Sequence, residues 1–443
     1  MRVLSAAVLA AMIVCPQLVA AQEEEQDSLR SEIARLEARL DSLVAQIEGM
    51  ELAVPAEDDD PIARLRAAAA AAGAEQPRET GADPEDQQFS GRQRSLQALN
   101  PEISVTGDIF AQFREGSIDE NNFIPREFEF SFISALDPYS RAKIYVAHHE
   151  EGGDLEIFEG LGGHGEEEGE GGHGGASTEI EEGYLEWVNL PGGLSVTVGR
   201  FRQRFGTFNR WHGHALPGSG YFLPYQVFLG EEGLAQTGVS VHWLAPFGPG
   251  AYEAWFEVTR SGNESMFGES NEPSFLGHVN AFWELSPSTY FELGLSGLTG
   301  DHVEEDGRFR NQLLSAEAAL NWRPPERGRY REVNLRGALL FNDRAAHVTA
   351  TGTEPATSAM GAWALADFRF SEQWIVGTRF DWVENPTLAD ESAWMLAPTL
   401  TWWQSEWVRI RAEYNLLDNP EGRTNQLLLQ FTLSMGPHKH ETY

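Results

Sequence analysis

The sequence predicts an all-β fold, a transmembrane antiparallel β-barrel of about sixteen strands preceded by an N-terminal α-helical coiled coil. Three observations predict it. Segments of about ten residues alternate apolar and polar side chains, the length and period of a strand that crosses a bilayer at a tilt. The connections between them alternate along the chain between short turns and longer polar loops, as in a barrel with one turn side and one loop side. Beyond the extreme N-terminus, no apolar run reaches the roughly 18 residues of a membrane helix.

Composition narrows the choice. The 443 residues carry 68 acidic and 32 basic groups, for a formal charge of −36. That balance argues against nucleic acid, whose phosphates are bound by basic patches. A mean hydropathy of −0.36 beside 13 Trp, 10 Tyr and 25 Phe is awkward for a helical membrane protein. A barrel accommodates it, because only alternate residues must face lipid. The single cysteine, Cys15, lies in the leading apolar segment, so disulfides, thiolate zinc sites and cysteine nucleophiles are not expected in the mature chain.

Residues 1–21 hold one early charge, Arg2, an apolar stretch from Val3 to Val14, and small residues at Ala20 and Ala21, which reads as an export signal. Leu29, Ile33, Leu36, Leu40, Leu43, Ile47 and Met50 alternate spacings of four and three, the a/d repeat of a coiled coil over residues 22–52. Ile33 and Ile47 at a with leucine at most d positions favours two strands. Residues 53–100, with Asp58-Asp59-Asp60-Pro61 and the alanine run 67–72, cannot bury a core and read as a linker.

From Ile103 the character changes, and the barrel is expected over residues 101–443. Phe128, Phe130 and Phe132 alternate with Glu127, Glu129 and Ser131; Val408, Ile410, Ala412 and Tyr414 alternate with Arg409, Arg411 and Glu413. Strands are expected near 103–114, 126–136, 140–149, 178–189, 193–203, 233–245, 250–260, 274–286, 288–298, 309–322, 330–341, 358–370, 373–384, 390–403, 406–417 and 424–435. Long loops are expected at 115–125, 150–177, 204–232, 261–273, 299–308 and 342–357. Tyr184, Trp187, Trp374, Trp382, Trp402 and Trp407 would form interfacial girdles. A barrel of sixteen to eighteen strands leaves an aqueous lumen.

Two loops carry candidate chemistry. Arg200, Arg202, Arg204, Arg210, His212 and His214 surround the start of the third long loop and are the candidate constriction, should that loop fold inward and draw anions. Arg200, Arg202 and Arg204 share the phase of Leu194, Val196 and Val198, which read as lipid-facing. Either a bulge switches the phase, or the arginines rise to meet lipid headgroups. The second long loop, from Glu150 to Glu182, holds twelve carboxylates and no lysine or arginine. There His148, His149, His164 and His173, with Glu166, Glu167, Glu168 and Glu170, are candidate ligands for a loosely bound divalent metal such as zinc. No cofactor is required by this reading. Nucleophile elbows, P-loops and dinucleotide fingerprints are missing, and no enzyme is expected.

From Asn100 to Tyr443 the chain resembles a bacterial outer-membrane porin. The opening Asn100-Pro101-Glu102-Ile103-Ser104-Val105 behind a coiled-coil head is similar to the phosphate-selective porin (O/P-like) group, and aromatic Tyr443 resembles the chain end that barrel-assembly machinery recognises. The resemblance implies a homotrimer in outer-membrane lipid, with the coil in the periplasm and the long loops extracellular. It implies a passive diffusion channel for small hydrophilic solutes or ions. Three readings stay open: divalent cations gathered by the His/Glu loop, anions drawn to an Arg-rich constriction, or a structural anchor tethered through the coil.

Overall fold

Strands with one apolar and one polar face can satisfy both lipid and a wet interior only by closing on themselves, which also removes every unpaired edge. The computed structural model of the chain describes residues 101–436, except 117–121, 150–156, 159–176, 247, 249, 305–306 and 349–352. The predicted export signal, coiled coil, linker and Tyr443 lie outside the described residues, as do His164, His173, Glu166, Glu167, Glu168 and Glu170.

In chain order the strands are β1 (Glu102–Arg114), β2 (Asn122–Ala135), β3 (Ser140–His149), β4 (Ser177–Leu190), β5 (Leu194–Arg202), β6 (Ala235–Ala245), β7 (Ala251–Arg260), β8 (Pro273–Ser286) and β9 (Thr289–Val303). They continue as β10 (Arg308–Trp322), β11 (Glu332–Arg344), β12 (His347–Val348), β13 (Thr353–Glu354), β14 (Thr357–Arg369), β15 (Trp374–Glu384), β16 (Ser392–Trp403), β17 (Val408–Asn419) and β18 (Gly422–Met435). The short β12–β13 pair is a separate hairpin; the other sixteen close into one antiparallel barrel, β1 pairing β18 from Val105↔Met435 to Arg114↔Gln426. Sixteen strands and nearly all their positions agree with the sequence reading. The expected loop 299–308 shrinks to residues 304–307, because β9 and β10 stay paired to Val303↔Arg308.

Alternation sorts the two faces as the pattern requires. Phe130, Phe256, Leu295 and Leu339 are exposed on the outside, while Glu127, Glu129, Ser131, Arg409, Arg411, Glu413, Gln430 and Thr432 are buried inside. Short turns carry their own chemistry: the Asp137 carboxylate accepts from the Tyr139 and Ser140 backbone N–H groups at 2.7 and 2.8 Å, closing the β2–β3 turn. Trp374 and Trp402 stack at 6.0 Å near the short-turn end, where an interfacial girdle belongs. Tyr184 does not join such a girdle. It shares the inward phase of Glu182 and is buried beside the Lys143 ammonium, 6.0 Å from the ring centroid.

Candidate functional site: a loop fastened across the lumen

The connection from β5 to β6, residues 203–234 and here termed L3, turns into the barrel instead of standing above it. Gly206 makes the entry. Its φ of +65° is strained for other residues, and a Cβ there would meet the Tyr225 hydroxyl and the Glu317 carboxylate. The Gly206 N–H donates to Ser296 Oγ at 2.9 Å, and the Thr207 N–H and hydroxyl donate to Glu317 at 3.1 and 2.9 Å. Asn209 ties the two stems together, donating to the Gln203 and Leu234 carbonyls at 2.8 and 2.9 Å and accepting from the Leu234 N–H at 2.7 Å.

L3 then reaches the opposite wall, where its polar backbone needs partners. Wall arginines cap its carbonyls: Arg411 Nη1 donates to Leu216 and Gly218 at 3.0 and 2.8 Å, Arg379 Nη1 to Gly220 at 2.8 Å, Arg126 to Ser219, and Arg409 to His214. Wall carboxylates take its N–H groups: Glu413 accepts from Ser219 at 2.9 Å and Asp381 from Leu223 at 3.2 Å. The helix Leu223–Leu229 follows, with proline in its first turn and all but Gln226 buried. Phe222 stacks on Trp363 of β14 at 4.0 Å, and Phe208 packs against both. An apolar cluster thus fills the middle of the barrel, joined by Ile157 and Phe158 from the second long connection.

Above L3, toward the long-loop end, lies a cavity of about 750 Å³. Ser219, Gly220, Tyr221 and Leu223 line it from below. Seven carboxylates (Glu127, Glu179, Glu181, Glu231, Glu232, Glu264, Glu304) line it against five guanidiniums (Arg126, Arg200, Arg202, Arg344, Arg379). Its charge is therefore acidic among the described residues.

Of the candidate constriction residues, Arg200 and Arg202 line this cavity, whereas Arg204, Arg210, His212 and His214 sit around the L3 stems outside its lining, an arrangement the sequence did not suggest. Phe201 takes the lumen-facing position at the end of β5 and is fully buried. Arg202, the last strand residue, turns in with L3; Nη1 donates to Tyr221 Oη at 2.9 Å and to the Glu232 carbonyl at 2.7 Å, and Nη2 pairs with Glu181. The Arg204 guanidinium lies 4.6 Å over the Trp255 ring, and Arg210 donates to the Arg202 carbonyl at 3.0 Å. Arg200 stands at the rim, bonding the Glu181 carbonyl at 3.0 Å. His212 and His214 are fully buried. Burial disfavours imidazolium, but Glu129 and Glu181 hold His212 well above its ordinary value, and Glu129 and Glu127 raise His214.

The irregularity that matters sits in β4, not β5. Tyr145 pairs with Glu182 and Val146 with Ile180, so Glu181 is an extra residue and both Glu181 and Glu182 point inward. The metal candidates His148 and His149 part company. His149 faces inward 3.8 Å from Glu179, whereas His148 is one residue out of phase and bonds Thr178 Oγ1 at 2.8 Å. Sequence reasoning passed over the inward Glu127, Glu129, Glu181 and Glu182 as functional residues. For Glu127 and Glu129 the signal was their alternation with phenylalanines; Glu181 and Glu182 had none.

No family model matches the chain. A protein of Aquifex aeolicus (strain VF5), described as uncharacterized, is 28% identical over 305 residues, covering 58% of this chain and 62% of its own. The chain thus spans under two thirds of that relative's length. Among solved structures, an anion-selective porin from Comamonas acidovorans superposes with a TM-score of 0.50 at 10% identity, over 76% of this chain and 99% of its own. OprB of Pseudomonas putida (TM-score 0.49, 10% identity, 79% and 97% covered) and the outer membrane channel DcaP of Acinetobacter baumannii (0.48, 9%, 76% and 97%) are similar to it as well. The barrel shares the porin fold.

Proposed function

We propose that the chain is an outer-membrane diffusion channel for small hydrophilic cations, in which L3 sets the narrowest passage. The observation that carries this reading is a closed sixteen-strand barrel whose inward rows on β1, β2, β17 and β18 are mostly polar and whose mouth is an acidic vestibule floored by L3. A wet path needs no chemistry; lining charge decides which ions concentrate in it. The anion reading loses support because Arg379, Arg409 and Arg411 hold L3 carbonyls and Arg202 pairs with Glu181. The outer His/Glu tract would add to the cation field, and the barrel would associate as a trimer with the coil in the periplasm.

The apolar cluster inside the barrel favours one other reading, an anchor whose lumen is sealed. Single-channel recording of the purified full chain in a planar bilayer under a KCl gradient separates the two. Small, steady, cation-selective steps are the expected result. An anion-selective reversal potential would transfer selectivity to the arginines, and silence under all voltages would leave the anchor.

A further inference from the structure

Six side chains from three separate parts of the chain meet beside the start of the L3 crossing. Glu127 and Glu129 are successive inward residues of β2. Glu181 and Glu182 both enter through the β4 bulge, and His212 and His214 come from L3. Every one is more than nine-tenths buried. His212 Nδ1 lies 2.7 Å from Glu129 Oε2 and 3.0 Å from Glu181 Oε2. His214 Nδ1 lies 3.2 Å from Glu127 Oε1 and 3.8 Å from Glu129 Oε2. Two donor triplets result, Glu129–Glu181–His212 and Glu127–Glu129–His214, each with its atoms inside a 4.8 Å span and with Glu129 common to both.

The charge balance of the cluster turns on its two imidazoles. Glu127, Glu129, Glu181 and Glu182 bring four negative charges; Arg202 in contact and Arg210 nearby bring two positive ones, leaving a formal −2 when the imidazoles are neutral. Arg126 and Arg409 stand close by against the single Asp108, which leaves one further positive charge beside the carboxylates and reduces the deficit without cancelling it. Unbalanced buried charge is costly, and it persists only where a partner or a metal compensates it. Protons on both imidazoles close the deficit, and so does one divalent cation held by the neutral rings. Zinc bonds of roughly 2.0–2.1 Å place neighbouring donors about 3.3 Å apart, within the spread of the distances above. One imidazole nitrogen with two carboxylate oxygens suits a first-row transition ion; calcium prefers an all-oxygen shell.

We infer that Glu129, Glu181 and His212 form a divalent transition-metal site, flanked by Glu127 and His214, that clips L3 to β2 and β4. It is distinct from the outer His/Glu tract, and the inference stands whether or not the barrel conducts.

The test uses the purified full chain, stripped with EDTA, exposed to zinc chloride at neutral pH and dialysed, with bound zinc measured by elemental mass spectrometry. About one zinc per chain is expected to remain, and to remain after deletion of residues 162–175. Glu129→Gln and His212→Gln should each weaken binding at least about tenfold, since loss of even an outer-shell partner costs 10–100-fold. Heat-modified gel migration checks that each variant keeps a closed barrel. Wild type carries a second readout independent of the variants: trypsin should cut L3 more slowly with zinc than with EDTA. Failure of the undeleted chain to retain zinc would overturn the inference, leaving the cluster balanced by protons on the imidazoles. Zinc lost with residues 162–175 but kept in the Glu129 and His212 variants would also overturn it.

Discussion

Arg411 on β17 reaches across to L3 and donates, from one nitrogen, to the carbonyls of Leu216 at 3.0 Å and Gly218 at 2.8 Å. Nearly two hundred residues of chain separate the partners, so the bond fastens the loop to the wall opposite its own stems. Its removal leaves two buried carbonyls without this donor, a cost of about 2–4 kcal/mol. Arg411→Leu is therefore expected to lower the stability of the loop but not the closure of the barrel. Larger single-channel steps and faster proteolysis within residues 214–222 would bear this out. Unchanged steps would show that Arg379 and Glu413 suffice.

Gly206 is the second point of control. With φ at +65° and the Tyr225 hydroxyl and Glu317 carboxylate against its missing Cβ, Gly206→Val must move the loop entry or both neighbours. Strain of this kind costs about 1–3 kcal/mol. The variant is expected to lose the Thr207–Glu317 contact and broaden the conductance distribution, with the strand content of the circular dichroism spectrum intact. A wild-type conductance histogram would contradict the turn's role.

Legibility differed sharply between the wall and the plug. Strands such as β17 and β18 could be read directly, because lipid and lumen impose opposite demands on neighbouring residues and leave a period-two record, Arg409–Arg411–Glu413 against Val408–Ile410–Ala412. The inward path of L3 left only a hint in its cluster of Arg, His and aromatic residues. Its partners Arg379, Asp381 and Glu413 sit 158 to 194 residues away and look like ordinary inward polar positions. His212 and His214 stood out in the sequence, but their convergence with Glu181 and Glu182 was not legible, for a related reason. Whether Glu181 or Glu182 faces inward depends on a bulge, and a bulge is set by pairing with Tyr145 and Val146, which no local pattern announces.

Vestibule charge should control selectivity. Glu179, Glu231, Glu232 and Glu304 line the cavity outside the His212 cluster. Replacing all four with glutamine reverses the sign of the local excess and is expected to carry the reversal potential toward the anion side. The effect should be large in dilute salt and fade in concentrated salt, since the screening length falls from about 10 Å at 0.1 M to about 3 Å at 1 M. Reversal potentials in matched KCl gradients at the two concentrations provide the check. A shift of equal size in both would place the selective charges in a dry constriction instead.

The outward face makes the most direct prediction about the membrane. Leu339 stands near the middle of β11, 61% exposed, paired across β10 with Ala316 and across β14 with Ala362. In water an exposed leucine changed to arginine costs little; at the bilayer midplane the same change costs about 2–4 kcal/mol. Leu339→Arg should therefore destabilise the protein by that amount when urea-driven folding into phosphatidylcholine vesicles is followed by tryptophan fluorescence. Ser315→Arg would overfill the buried lumen side, so the matched control is Tyr330→Arg, on the β10–β11 turn and 48% exposed, where the cost should be near zero. Equal, small effects at both positions would mean that the band around Leu339 does not meet lipid, as for a strand covered by a neighbouring barrel in an oligomer. The same substitution on β2, Phe130→Arg, then tells the two cases apart, because a partner can cover only one side of the wall.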